Sequence, residues 1–145
     1  MSASIIVLVE HLKGNIPEIS YEMLGVARKI ADASGGKVYA LIAGKGSSAL
    51  ATGLGAADVA LVLEDSSADV MNDDVLIEAL KQAINEKQAT LVLVGCTNIS
   101  FGIGTRLALR SGMPFINWVK DIKTTEGEMV VTSALFGGKV LSDIV

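Results

Sequence analysis

The sequence predicts an α/β fold built on a single doubly wound, mainly parallel sheet, and three observations carry that expectation. Short apolar segments alternate along the 145 residues with longer ones whose apolar side chains recur at helical spacing. Leu91, Val92, Leu93 and Val94 form a continuous apolar run, the pattern of a strand buried on both faces of a parallel sheet. Half of the chain is hydrophobic but only 4% is aromatic, so the core is expected to consist of Val, Ile, Leu and Ala.

The elements follow in order. Ile5 to Val9 reads as a buried strand, and a loop through Gly14 and Pro17 leads to a helix from about Ser20 to Ser34, closed by Gly35-Gly36. Met23, Leu24, Ala27, Ile30 and Ala31 make its inward stripe. Val38 to Ala43 is the second strand, followed by Gly44-Lys45-Gly46 and a short helix from about Ser48 to Leu54. Val59 to Leu63 is the third strand. Asp73 and Asp74 favour the positive end of a helix running to about Glu86, with Leu76, Ala79, Leu80, Ala83 and Ile84 facing inward. The strand at Leu91 runs into Gly95-Cys96-Thr97-Asn98, then a helix from about Phe101 to Arg110. After Ser111-Gly112, Pro114 opens an extended segment, Phe115 to Ile122, and the Thr124 to Glu128 cluster reads as a hairpin turn into Met129 to Leu135. With no Pro- or Ser-rich linker, residues 1–145 are expected to form one domain. The expected strand order is 3-2-1-4-5, with an antiparallel hairpin at the C-terminal edge.

Composition narrows the function. A net charge of −4 with no Lys/Arg cluster argues against nucleic acid or an anionic membrane as partner. One cysteine permits no internal disulfide and no zinc-type spacing, which suits a reducing compartment. The N-terminal segment lacks the features of an export or transit signal, and no apolar run approaches the roughly 20 residues of a membrane span. A cytoplasmic protein without metal is the expectation.

In a 3-2-1-4-5 sheet the direction of winding reverses between strands one and four, and ligands favour the crevice beyond their C-terminal ends. His11 and the loop Gly95 to Ser100 flank that crevice. Gly95 lets the backbone turn, Thr97, Asn98 and Ser100 offer hydroxyl and amide groups, and the next helix brings unpaired N–H groups, so Gly95, Thr97, Asn98 and Ser100 form a candidate nucleotide loop. A plain βα connection has the same requirements. His11 and Cys96, the only His and Cys, are candidate neighbours, yet no third group completes a nucleophilic site, and no catalytic residue is expected. Gly44-Lys45-Gly46-Ser47-Ser48 fails the Walker spacing and reads as a turn. Glu64, Asp65, Asp69, Asp73 and Asp74 match no calcium-loop pattern and read as a solvated stretch plus a helix cap. Arg106 and Arg110, one helical turn apart, read as surface charges, with Arg106 able to reach a carboxylate. Trp118 reads as core, with a partner interface as the second reading.

Taken together, the stretches IIVLVEH with Gly14, YEMLGVARKIADASGGKVYALIAGK, GAADVALVLED, LVLVGCT, RLALRSGM and FGGKVL resemble the N-terminal domain of the electron transfer flavoprotein alpha subunit. The resemblance covers nearly the whole chain and implies an adenine nucleotide alpha hydrolase-like fold. It implies a scaffold and docking domain that pairs with the beta subunit. FAD would be held chiefly by a C-terminal domain, in cis or in trans, and not tightly by this chain alone. Electrons would pass from dehydrogenases to an acceptor. The AMP site of classical members belongs to beta, which leaves AMP an occasional ligand here, and a stand-alone adenine-nucleotide-binding module is the alternative. A homo-oligomer is a further possibility for the isolated domain. The sequence departs from the family where Gly-Arg-Asp often precedes Arg-Leu-Ala: here Ser100-Phe101-Gly102 stands before Arg106-Leu107-Ala108. Asn117-Trp118 likewise stands where an Asp is often found.

Overall fold

A computed structural model describes residues 2–66 and 72–145, which form two compact units, Met1–Gly112 and Met113–Val145. The first unit has the alternating order β1 (Ser4–Val9), α1 (Glu18–Ser34), β2 (Lys37–Gly44), α2 (Ser47–Ala51), β3 (Val59–Glu64), α3 (Asp73–Lys87), β4 (Leu91–Leu93) and α4 (Ile103–Ser111). Its four strands are parallel and ordered β3-β2-β1-β4. The chain therefore winds outward from β1 to β3 and returns to the other side of β1 as β4. That reversal opens a crevice past the ends of β1 and β4, as the sequence pattern implies.

β1 is the centre of the core. Ile5, Ile6, Val7, Leu8 and Val9 are all buried, and so are Val38, Ala40, Leu41 and Ile42 of β2. Burial on both faces explains why these strands read as unbroken apolar runs. α1 packs on β1 and β2 through Leu24, Ala27, Ile30 and Ala31, with Met23 only half-buried. α3 packs on β1 and α4 through Leu76, Ile77, Leu80, Ala83 and Ile84. Its N-cap is Asn72, whose side chain accepts the Asp74 N–H at 2.8 Å, so Asp73 and Asp74 belong to the first turn rather than to the cap.

Two glycines close α1 for different reasons. Gly35 adopts the left-handed conformation, φ 65°, and donates its N–H to Ala31 O, which ends the helix. At Gly36 the constraint is space, since a Cβ there would lie 2.0 Å from the carbonyl oxygen of Ala3.

The second unit is all antiparallel: β5 (Val119–Thr125), β6 (Glu128–Leu135) and β7 (Val140–Ile144), in the order β5-β6-β7. Thr125 pairs with Glu128 across Glu126 and Gly127, both at positive φ, the two-residue loop that matches strand twist and the turn expected from the sequence.

Three expectations need correction here. The parallel sheet has no fifth strand among the described residues: the extended segment begins its pairing at Val119, and its partner is β6. As a result β4 pairs among the described residues with β1 alone, and Leu91, Val92 and Leu93 are half-buried rather than enclosed. The apolar run read correctly as a strand but not as a central one. Trp118 is not core either: it is 58% exposed, with φ 54°, immediately before β5. The β7 strand was not expected; Gly137-Gly138, followed after Lys139 by the apolar pair Val140-Leu141, was its available signal.

Gly36→Ala is expected to destabilise the protein more than Gly35→Ala, for which the left-handed strain is about 1–2 kcal/mol. Backbone atoms of Ala3 must shift in the first variant and only a dihedral penalty applies in the second. Urea unfolding midpoints at unchanged slope check the order.

Candidate functional site

The crevice is filled by the chain's own side chains. Past the end of β1, Glu10 is 5% exposed and its backbone N–H donates to Ser20 Oγ at 3.1 Å, which ties the strand end to the start of α1. Its carboxylate reaches the loop after β4. Thr97 Oγ1 lies 2.9 Å from Oε1 and 2.8 Å from Oε2, and donates to them. Ser100 Oγ is also bonded to Glu10 Oε1 and to the Gly95 carbonyl oxygen. Thr97 Oγ1 in turn accepts the N–H groups of Ile99 at 3.1 Å and Ser100 at 3.3 Å. A Cβ on Gly95 would sit 2.9 Å from Glu10 Oε1, so the glycine makes room for the carboxylate. No cation forms an ion pair with Glu10 among the described residues.

The loop residues singled out from the sequence are therefore brought together in part. Gly95, Thr97 and Ser100 converge on Glu10, while Asn98 is exposed and takes no part in the cluster. Glu10 itself was missed. The available signal was a charged residue ending a strand of five buried apolar positions, since such a side chain needs partners wherever it lands.

His11 turns to the other neighbour of β1. Its Nε2–H donates to the Ala43 carbonyl oxygen at 2.9 Å, at the end of β2, and its Nδ1 is buried without a partner among the described residues. A cavity of about 20 Å³ lies between Leu8, Glu10, His11, Ala43, Ser100 and Ile103, large enough for about one water molecule. Cys96 is exposed and shares no hydrogen bond with His11 among the described residues, so the two do not form a thiol–imidazole pair.

The other βα turn has the same logic at the surface. Glu64, at the end of β3, accepts the N–H of Gly46 at 2.7 Å, the N–H of Ser48 at 2.7 Å and the hydroxyl of Ser47 at 3.1 Å. The hydrogen bonds from Ser48, then Gly46, hold its carboxyl well below the ordinary value of 4.5, at about 2. The Gly44 to Ser48 turn thus takes a carboxylate from its own chain. Of the acidic stretch, Asp69 lies outside the described residues, and no group of three or more potential metal ligands comes together among the described ones. Asp73 pairs with Arg106 at 3.4 Å, and Asp74 with Arg106 and, at 3.0 Å, with Arg110. Arg110 also meets Glu78 at 3.2 Å, so both arginines pin α4 to α3 as exposed ion pairs. Phe101 is 75% exposed.

A family model for the electron transfer flavoprotein domain matches residues 5–145. The chain belongs to the electron transfer flavoprotein domain family. It is 29% identical to the electron transfer flavoprotein subunit alpha of Megasphaera elsdenii, over 97% of this chain and 43% of that protein. It is 29% identical to protein FixB of Clostridium saccharobutylicum, over 95% of this chain and 42% of that one. Subunit LctC of the lactate dehydrogenase (NAD(+),ferredoxin) of Acetobacterium woodii is 27% identical, over 97% of this chain and 34% of LctC. The chain thus spans less than half the length of these relatives. Among solved structures, a universal stress protein in complex with cAMP superposes with a TM-score of 0.46 and 19% identity, over 73% of this chain and 82% of that one. Proteins of the family are flavoproteins that carry electrons. Among the described residues no helix is long and apolar enough to cross a membrane.

Two outcomes are expected. Thr97→Val removes a donor to Glu10 and an acceptor for two backbone N–H groups, and should cost about 1–3 kcal/mol in urea unfolding. Because the folded Glu64 value lies below its ordinary one, its stabilisation is present above pH 4.5 and disappears as the pH falls through about 2. Glu64→Gln should accordingly flatten the loss of stability between those two pH values, measured as Tm against pH.

Proposed function

We propose that this chain acts as the N-terminal scaffold and docking domain of an electron transfer flavoprotein alpha-type subunit. The match of the family domain over residues 5–145, in a chain that spans 43% of its alpha-subunit relative, supports that reading. In it, FAD is held chiefly by a C-terminal domain, in cis or in trans. The redox step occurs at that flavin, between dehydrogenases and an acceptor, and no residue of this chain makes or breaks a bond. The beta subunit is the partner, and the compartment is the cytoplasm.

The internal geometry is consistent with this division of labour. Glu10, Thr97 and Ser100 satisfy one another, and Glu64 satisfies the turn at Gly46 to Ser48, so the two loops most suited to phosphate hold side chains of the same chain. Such loops lend rigidity to a scaffold and leave little hydrogen-bonding capacity for a cofactor.

The purified chain is expected to show no flavin absorbance after desalting, and to co-elute with an electron transfer flavoprotein beta subunit in size-exclusion chromatography. A stoichiometric flavin spectrum from this chain alone would refute the proposal.

A further inference from the structure

The loop after β4 is built like an oxyanion cradle and already contains an oxyanion. We propose that Glu10 is the resident occupant of a latent oxyanion site formed by Gly95, Thr97 and Ser100, so that this carboxylate excludes phosphate ligands and its removal uncovers a site for inorganic phosphate.

Three observations carry the proposal. Both carboxylate oxygens are held by hydroxyl donors, Thr97 Oγ1 at 2.9 and 2.8 Å and Ser100 Oγ, with no ion pair to a cation among the described residues. Hydroxyl donors around an oxygen anion are the same groups that bind a phosphate oxygen. Gly95 is tight against Oε1, at 2.9 Å from an added Cβ, and glycine at such a point is what lets an oxyanion approach the backbone. The third observation is independent of the hydroxyl–carboxylate bonds: the cavity adjoining Glu10 is lined by His11, which is 4% exposed and whose Nδ1 has no hydrogen-bond partner among the described residues. Truncating Glu10 joins the volume of its side chain to this cavity, giving a pocket lined by the Thr97 and Ser100 hydroxyls as donors and by His11 Nδ1 as an acceptor for the P–OH of a protonated phosphate. The location is the crevice beyond β1 and β4, where an open α/β sheet presents ligands. Specificity here is negative: the chain rejects phosphate by placing its own charge where phosphate would sit.

The test compares thermal melts in sodium phosphate with melts in sodium chloride at equal ionic strength, for the full 145-residue chain. The wild type and Glu10→Gln, whose amide still fills the cradle, should show no phosphate-specific rise in Tm. Glu10→Ala should melt lower than the wild type in chloride and gain at least about 3 °C in phosphate. Adding Thr97→Val to Glu10→Ala should abolish the gain. A phosphate-specific rise in the wild type, or none in a folded Glu10→Ala, would overturn the proposal. Should Glu10→Ala fail to fold in chloride, refolding in phosphate decides: recovery of folded protein there alone supports the latent site, and no recovery in either buffer overturns it.

Discussion

The Glu10 carboxylate sits at the point where the sheet changes its direction of winding. Its backbone N–H is fixed to Ser20 at the start of α1, and its side chain is fixed to Thr97 and Ser100 in the loop between β4 and α4. One residue therefore joins the first βα connection to the last. A buried carboxylate is costly unless its oxygens are hydrogen-bonded, and here the Gly95 to Ser100 loop, drawn over the end of β1, supplies those bonds. Thr97 and Ser100 then have fixed positions, Thr97 orders the backbone of Ile99 and Ser100, and Ile103 can bury itself at the first turn of α4.

From this constraint follows the character of the crevice. In sheets of this winding the ends of the two central strands present unpaired groups to a ligand. Here those groups are turned on each other, and His11 reaches sideways to Ala43 instead of toward Cys96. The surface turn at Gly46 repeats the solution with Glu64, whose depressed carboxyl value records how strongly the Ser48 hydroxyl and the backbone N–H groups of Ser48 and Gly46 favour an anion. A protein whose loops are satisfied from within has its exposed faces as the remaining means of interaction. That agrees with the docking role proposed for it within a family of electron carriers.

Much of the fold was legible in the residues. The apolar runs of β1 and β2, the stripe of α1, the glycine stop at Gly35 and the Glu126-Gly127 turn are local or periodic signals, and each produced the element expected. The errors came where a strand's neighbours mattered. Leu91 to Leu93 has the composition of a central strand but lies at an edge, because burial depends on what pairs beside it rather than on the strand itself. Trp118 has the size of a core residue yet sits exposed at a positive φ before β5. As for the site, Gly95, Thr97 and Ser100 could be named from loop chemistry. Glu10 could not be assigned to them, since 87 residues separate it from Thr97.

The sequence by itself determined the secondary elements up to β6, the parallel character of the first four strands, the reversal between β1 and β4, and membership of an electron transfer flavoprotein family. Periodicity and turn residues encode the elements within a few positions of one another, and the order and spacing of short motifs along the chain carry the rest. Only the tertiary structure decided that the expected β5–β6 hairpin takes β7 as its third strand instead of adding β5 to the parallel sheet, and that the polar loop beyond β4 points at Glu10. Those outcomes depend on which distant groups meet and on the free energy of satisfying a buried charge, and no local pattern records either.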